Sequence, residues 1–153
     1  MTSYIEILDQ LKKVIGEQLN NYLEDMSSKG ILKPIDVENV EIEYPDTDNM
    51  RKNVMFFIVP DQIVYEDLTT GSDAVTSNIT VYLLCKRDKQ ENLIKKVLHY
   101  SEAFLKLIRN NQSLDGIVEF SKVDTAEFYP YVESEANVSG MEMNLIIQNA
   151  FDY

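Results

Sequence analysis

Between Leu93 and Ile108 the apolar residues Leu93, Ile94, Val97, Leu98, Tyr100, Phe104, Leu105, Leu107 and Ile108 recur at helical spacing. Wound at roughly 100° per residue, they cover about half of the circumference. Lys95, His99, Glu102, Lys106 and Arg109 take the other half. A stripe that wide belongs to a helix lying flat on a sheet. Asp88 and Glu91 supply a capping pattern at its start. After it come polar Asn110, Asn111 and Gln112, then a turn, Ser113-Leu114-Asp115-Gly116. Ile117, Val118 and Phe120 begin a strand that Val123 extends. A sheet is therefore required, and the rest of the chain must supply its other strands.

A second helix opens the chain. Ser3 and Glu6 form a capping box, and Tyr4, Leu8, Leu11, Ile15, Leu19, Tyr22 and Met26 then return every three or four residues. This helix fades near Ser27 and Ser28 and stops by Gly30. Val37, Val40 and Ile42 indicate a short first strand between Pro34 and Pro45. The apolar run from Asn53 to Val59 is the second, and Ile79 to Cys85 the third. The connection from Asp61 to Asn78 has strand-like ends around Thr-Thr-Gly-Ser-Asp, and is either a projecting hairpin or a mobile loop. Met141, Met143, Leu145, Ile147 and Phe151 mostly alternate with Glu142, Asn144, Gln148 and Asp152, the pattern of a strand with one wet face. The order α-β-β-β-α-β-β predicts a single α+β domain over residues 1–153: a mostly antiparallel sheet with two helices packed on it. At 153 residues and 44% apolar content the chain can bury a core of its own.

The formal net charge is −12. That argues against a nucleic-acid grip, which needs concentrated basic surface. The charge is unevenly placed. From Asp36 to Asp48 lie Asp36, Glu38, Glu41, Glu43, Asp46 and Asp48 with no Lys or Arg, whereas Lys86 to Arg109 is net basic. Either these are two solvated faces, or unlike faces meet between copies of the protein. The start of the chain has no basic, then apolar, signal-peptide pattern. No apolar run approaches the roughly 20 residues that span a bilayer. The lone Cys85 fits a reducing compartment. The expectation is a soluble chain made in the cytoplasm, without membrane contact.

The residues that carry chemistry are few. His99 stands alone on the polar side of its helix, and Cys85 sits in an apolar strand where it is more naturally buried than nucleophilic. With one His and one Cys there is no zinc set. Asp46-Thr47-Asp48-Asn49 lacks the central Gly and terminal Glu of a calcium loop, and reads as a turn. Glycine-rich phosphate loops are absent. The expectation is a protein without catalytic residues, metal or cofactor. The aromatic residues are of more interest: Phe128, Tyr129 and Tyr131 cluster at Pro130, and Phe151 and Tyr153 close the sequence. They form either a core edge with a frayed end, or an interface, which tyrosine favours because it buries area and keeps a polar tip.

The order of elements, the stretch NLIKKVLHYSEAFLKLIRNNQSLDGIVEF and the last strand MEMNLIIQNAF resemble the tail terminator and tail-completion (head–tail joining) proteins of tailed bacteriophages and phage-tail-like particles. In that family a helix ends in a polar stretch and Leu-x-Gly leads into a strand; here those positions are Leu114, Asp115 and Gly116. The connection from Asp61 to Asn78 departs from a minimal hairpin. The resemblance implies a structural role. Such proteins form a ring, usually a hexamer, on the last tube ring of a finished tail, stop tube polymerisation and offer a surface to the neck or head connector. The implied partners are further copies of the chain, the tail tube protein, a neck or connector protein and, in a contractile particle or headless bacteriocin, the sheath. The implied location is a virion tail, assembled in the bacterial host cytoplasm, a prophage product included. Within that reading Tyr129, Tyr131, Phe151 and Tyr153 are candidates for a subunit or tube interface. Glu38, Glu41 and Glu43, with Glu133 and Glu135, are candidates for an acidic lumen wall that lets DNA pass. Lys95, Lys106 and Arg109 would face outward or toward a neighbour. The alternatives are another head–tail joining or neck protein and, from a different class, a small cytosolic enzyme or ligand-binding α+β domain with a deep apolar pocket.

Overall fold

The computed structural model describes residues 3–26, 33–48, 50–69, 72–87, 93–128 and 138–152. Its first helix, α1, spans Tyr4–Met26. The capping box is formed: the Ser3 N–H donates to Glu6 Oε2 and the Glu6 N–H to Ser3 Oγ, both at 3.2 Å. Ile7, Leu8, Leu11, Val14, Ile15, Leu19 and Leu23 are buried, while Tyr4 and Tyr22 lie at the margin. The predicted stop at Ser27–Gly30 lies outside the described residues, as does the Asp88–Glu91 cap of the second helix.

The first strand is shorter than predicted. Val37–Asn39 forms a 3-10 turn, and only Val40–Glu41 is strand (β1); Ile42 falls beyond it. The cause is local hydrogen bonding. The Glu38 N–H donates to Asp36 Oδ1 at 2.8 Å and the Asp36 N–H to Asn39 Oδ1 at 2.9 Å, a capping pair that favours a tight turn over extension. Asn20 of α1 holds the approach to this turn through both the N–H and the carbonyl of Ile35. The turn also needs Gly16, because a Cβ there would stand 2.6 Å from the Val37 Cα.

The connection from Asp61 to Asn78 is a hairpin. Strands β2 (Val54–Thr69) and β3 (Ser72–Lys86) pair antiparallel from Val54↔Cys85 out to Thr69↔Ser72, with irregularities after Pro60 and Asp67. Pro60 sits at the first, where a strand tolerates a missing donor. The second helix, α2, spans Leu93–Asn110, followed by β4 (Phe120–Phe128) and β5 (Val138–Asp152). β5 lies along β3 from Lys86↔Val138 to Ser72↔Asp152. The sheet order is β1-β2-β3-β5-β4, antiparallel apart from the β1–β2 pair. This is the predicted α+β arrangement and element order.

Ile117 and Val118 precede β4 instead of opening it. Leu114, Asp115 and Gly116 take positive φ values of 50°, 60° and 88°, and the Val118 N–H closes the turn onto the Ser113 carbonyl at 3.0 Å. Two non-glycine residues in the left-handed region are costly. They are held by Asn111 Oδ1, which accepts from the Asp115 N–H, and by Gln10, whose side chain donates to the Leu114 carbonyl. Leu114 itself is fully buried.

Both helices pack on one sheet face. Val54, Phe56 and Ile58 of β2, Ile79, Val81, Leu83 and Cys85 of β3, and Met141, Met143, Leu145 and Ile147 of β5 join them in one core. The α2 stripe is rotated from the predicted one. Ile94 and Leu98 are exposed at its flank, and Lys96 and Ser101 are buried instead. Both can be buried because their polar ends find backbone carbonyls: Lys96 Nζ donates to the Lys86 carbonyl at 3.0 Å and Ser101 Oγ to that of Leu98 at 3.0 Å. On the opposite sheet face Met50, Met55, Phe57 and Leu84 form a second, smaller cluster, with Tyr82 and Val138 against it.

Candidate interaction surfaces

The acidic segment that contains the 3-10 turn lies at the β1 edge of the sheet. Its charges are partly compensated by residues later in the chain. Glu41 is ion-paired with Arg51, and Lys52 Nζ lies 3.4 Å from Glu38 Oε2 and 4.0 Å from Asp36 Oδ1. Of the five residues predicted for a lumen wall, three are described, and of these Glu38 and Glu41 carry local counter-ions. Glu43 is exposed and makes no ion pair among the described residues. Beside it Tyr44 is 77% exposed, the most exposed large apolar side chain described.

The basic residues of α2 divide. Lys95, Lys106 and Arg109 are exposed, as predicted for its polar side. Arg109 also borders a cavity of about 330 Å³ between the end of α2 and β4, with Leu105, Ile108, Gln112, Lys122 and Val123 as its other walls. Leu105, Ile108 and Val123 make the lining apolar, while Arg109 and Lys122 bring two exposed cations to it. The turn after α2 fixes Gln112, whose carbonyl accepts from Ser121 Oγ at 2.8 Å.

Two smaller clefts hold about 170 Å³ each. One is lined by Lys33, Asp36, Asn39, Lys52, Lys96 and Tyr100 among others, with the buried Tyr100 hydroxyl donating to the Lys33 carbonyl at 2.7 Å. The other lies on the wet sheet face and brings Asp61, Glu127 and Glu142 together with Thr80, Thr125 and Asn144. Among the described residues no three His, Cys, Asp or Glu are grouped to hold a metal ion. His99 is half-buried, and Cys85 is fully buried in the core. Tyr4, at the start of α1, has its phenol pKa raised above 10.0 by burial, in the neighbourhood of Tyr65 and Asp61. No helix described is long and apolar enough to cross a membrane.

Tyr129, Tyr131, Glu133, Glu135 and Tyr153 lie outside the described residues. Phe151 lies in β5 opposite Asp73. Sequence reasoning assigned no role to Tyr44, Lys122 or Gln112, and spacing gives no sign that Lys122 meets α2.

No family model matches the sequence, and no curated protein does. Solved structures do. One is the PVC sheath/tube terminator of an extracellular contractile injection system in its extended state, at 14% identity and a TM-score of 0.58. The match covers 100% of this chain and 57% of that one. The shared fold therefore runs through every element described above, while the chain spans little more than half the length of the protein it matches.

Proposed function

We propose that this chain is the terminator of a phage-tail-like particle: a ring-forming structural protein that seats on the end of the tail tube, stops its growth, and in a contractile particle meets the sheath. The observation that carries this reading is the fold likeness to a sheath/tube terminator over the whole chain. It is joined by the Leu114-Asp115-Gly116 junction between α2 and β4. Six copies, side contacts between unlike faces, and a second face turned toward a neck or connector complete the proposal. Heterologous contacts of that kind close into a ring when the rotation between copies divides a full turn.

The described cavities favour assembly over catalysis. The largest has an apolar lining rimmed by two cations, which suits a side chain from a neighbour better than a reacting group. Tagged chain mixed with purified cognate tail tubes and imaged by negative stain tests the reading. Label is expected at one tube end. Label scattered along the tubes, or none bound, would count against it.

A further inference from the structure

The cavity at the β4 edge and the exposed tyrosine at the β1 edge are complementary, and we propose that Tyr44 of one copy inserts between α2 and β4 of the next. This rests on the ring reading above and specifies its side contact. The pocket offers Leu105, Ile108 and Val123 as apolar wall, Gln112 as a polar group, and Arg109 and Lys122 as cations. Neither cation has a hydrogen bond or ion pair among the described residues. The opposing segment presents a 77% exposed tyrosine ring, preceded by the exposed Glu43 and followed by Pro45 and the exposed Asp48. Glu43 likewise has no partner among the described residues. Pro45 stiffens the segment, which lowers the entropy lost on docking.

The chemistry of the fit is specific. A tyrosine ring buries apolar area against the three aliphatic side chains and keeps its hydroxyl for Gln112. The Arg109 guanidinium suits the face of such a ring. Glu43 and Asp48 then meet Arg109 and Lys122, which are otherwise uncompensated. Aromatic and arginine anchors of this kind dominate interface energetics.

Geometry makes the contact intermolecular. β1 and β4 are the two outer strands of the sheet, four spacings or roughly 19 Å apart. One chain therefore cannot fill its own pocket. Donor and acceptor edges on opposite sides of one subunit give a head-to-tail contact, the heterologous type from which rings are built.

The test combines crosslinking with assembly. Tyr44→p-benzoylphenylalanine keeps an aromatic ring at the contact and, under ultraviolet light, links covalently to the side chains around it. This variant is expected to give a ladder of linked copies, with the crosslinks mapping to Leu105, Ile108, Gln112 or Val123 of the neighbouring copy. Tyr44→Ala should weaken self-association by ~30-fold, the loss expected for an aromatic anchor. Arg109→Glu with Lys122→Glu should also abolish assembly, and adding Glu43→Lys with Asp48→Lys should restore it. Rings that form without crosslinks from position 44 to this pocket, and that tolerate Tyr44→Ala, overturn this contact and leave the ring standing. A chain that stays monomeric both at high concentration and on tube ends overturns the contact and the ring together.

Discussion

At the scale of single residues, the fold depends on a few positions where the backbone comes close or turns sharply. Gly16 is one. Its missing side chain lets α1 touch the backbone of Val37, and so places the 3-10 turn, Asn39 and β1. Alanine at an ordinary helix position gains about 1 kcal/mol over glycine. Here the added Cβ overlaps backbone, and overpacking of that kind costs ~1–3 kcal/mol. Gly16→Ala is therefore expected to lower the melting temperature by a few degrees, and a rise would show that the turn is not seated as described. Little of this was legible beforehand. Glycine in a helix announces a close approach without saying to what, and Val37 reads as a strand residue until Asp36 and Asn39 are seen to close a turn around it. The Leu114-Asp115-Gly116 junction was legible as a reversal. That Leu114 and Asp115 share the left-handed conformation with Gly116 was not, because it is imposed from a distance by Gln10 of α1 as well as by Asn111.

At the scale of elements, periodicity carried most of the information. The α1 and α2 stripes and the alternation of β5 reflect burial against one partner layer, so their spacing translates directly into structure. The exceptions have physical causes. Lys96 and Ser101 look like solvent-facing residues and are buried, since each reaches a backbone carbonyl. The Asp61–Asn78 connection reads as either a projecting hairpin or a mobile loop, and it is the hairpin, because distal β2 and β3 gain hydrogen bonds from each other and from β5 with little need of core. Strand pairing also places Glu127 directly opposite Glu142 on the wet face, near Asp61. Like charges in that position are destabilising, and opposite charges contribute roughly 0.2–1 kcal/mol. Glu127→Lys should therefore raise the urea midpoint with an unchanged slope, by an amount that shrinks as salt is added. A lower midpoint in low salt would mean that β4 does not hold the register described.

At the scale of the whole molecule, the candidate surfaces were only partly legible. The polar side of α2 was visible in sequence, and Lys95, Lys106 and Arg109 are exposed on it. The compensation of Glu38 and Glu41 by Lys52 and Arg51 was hidden, because those partners follow the acidic stretch and return to it only through the path into β2. The pocket was hidden for a similar reason: Lys122 and Val123 are distant in sequence from Leu105 and Ile108 and meet them only through the reversal at Gly116. The role proposed for this chain is to end a tail tube. The most direct measurement is the length distribution of tubes polymerised from purified tube protein, imaged with and without the chain. Substoichiometric chain, about one ring per growing end, is expected to arrest elongation and leave short tubes closed by a ring at one end. Tubes that grow to the same lengths with the chain in excess would contradict it.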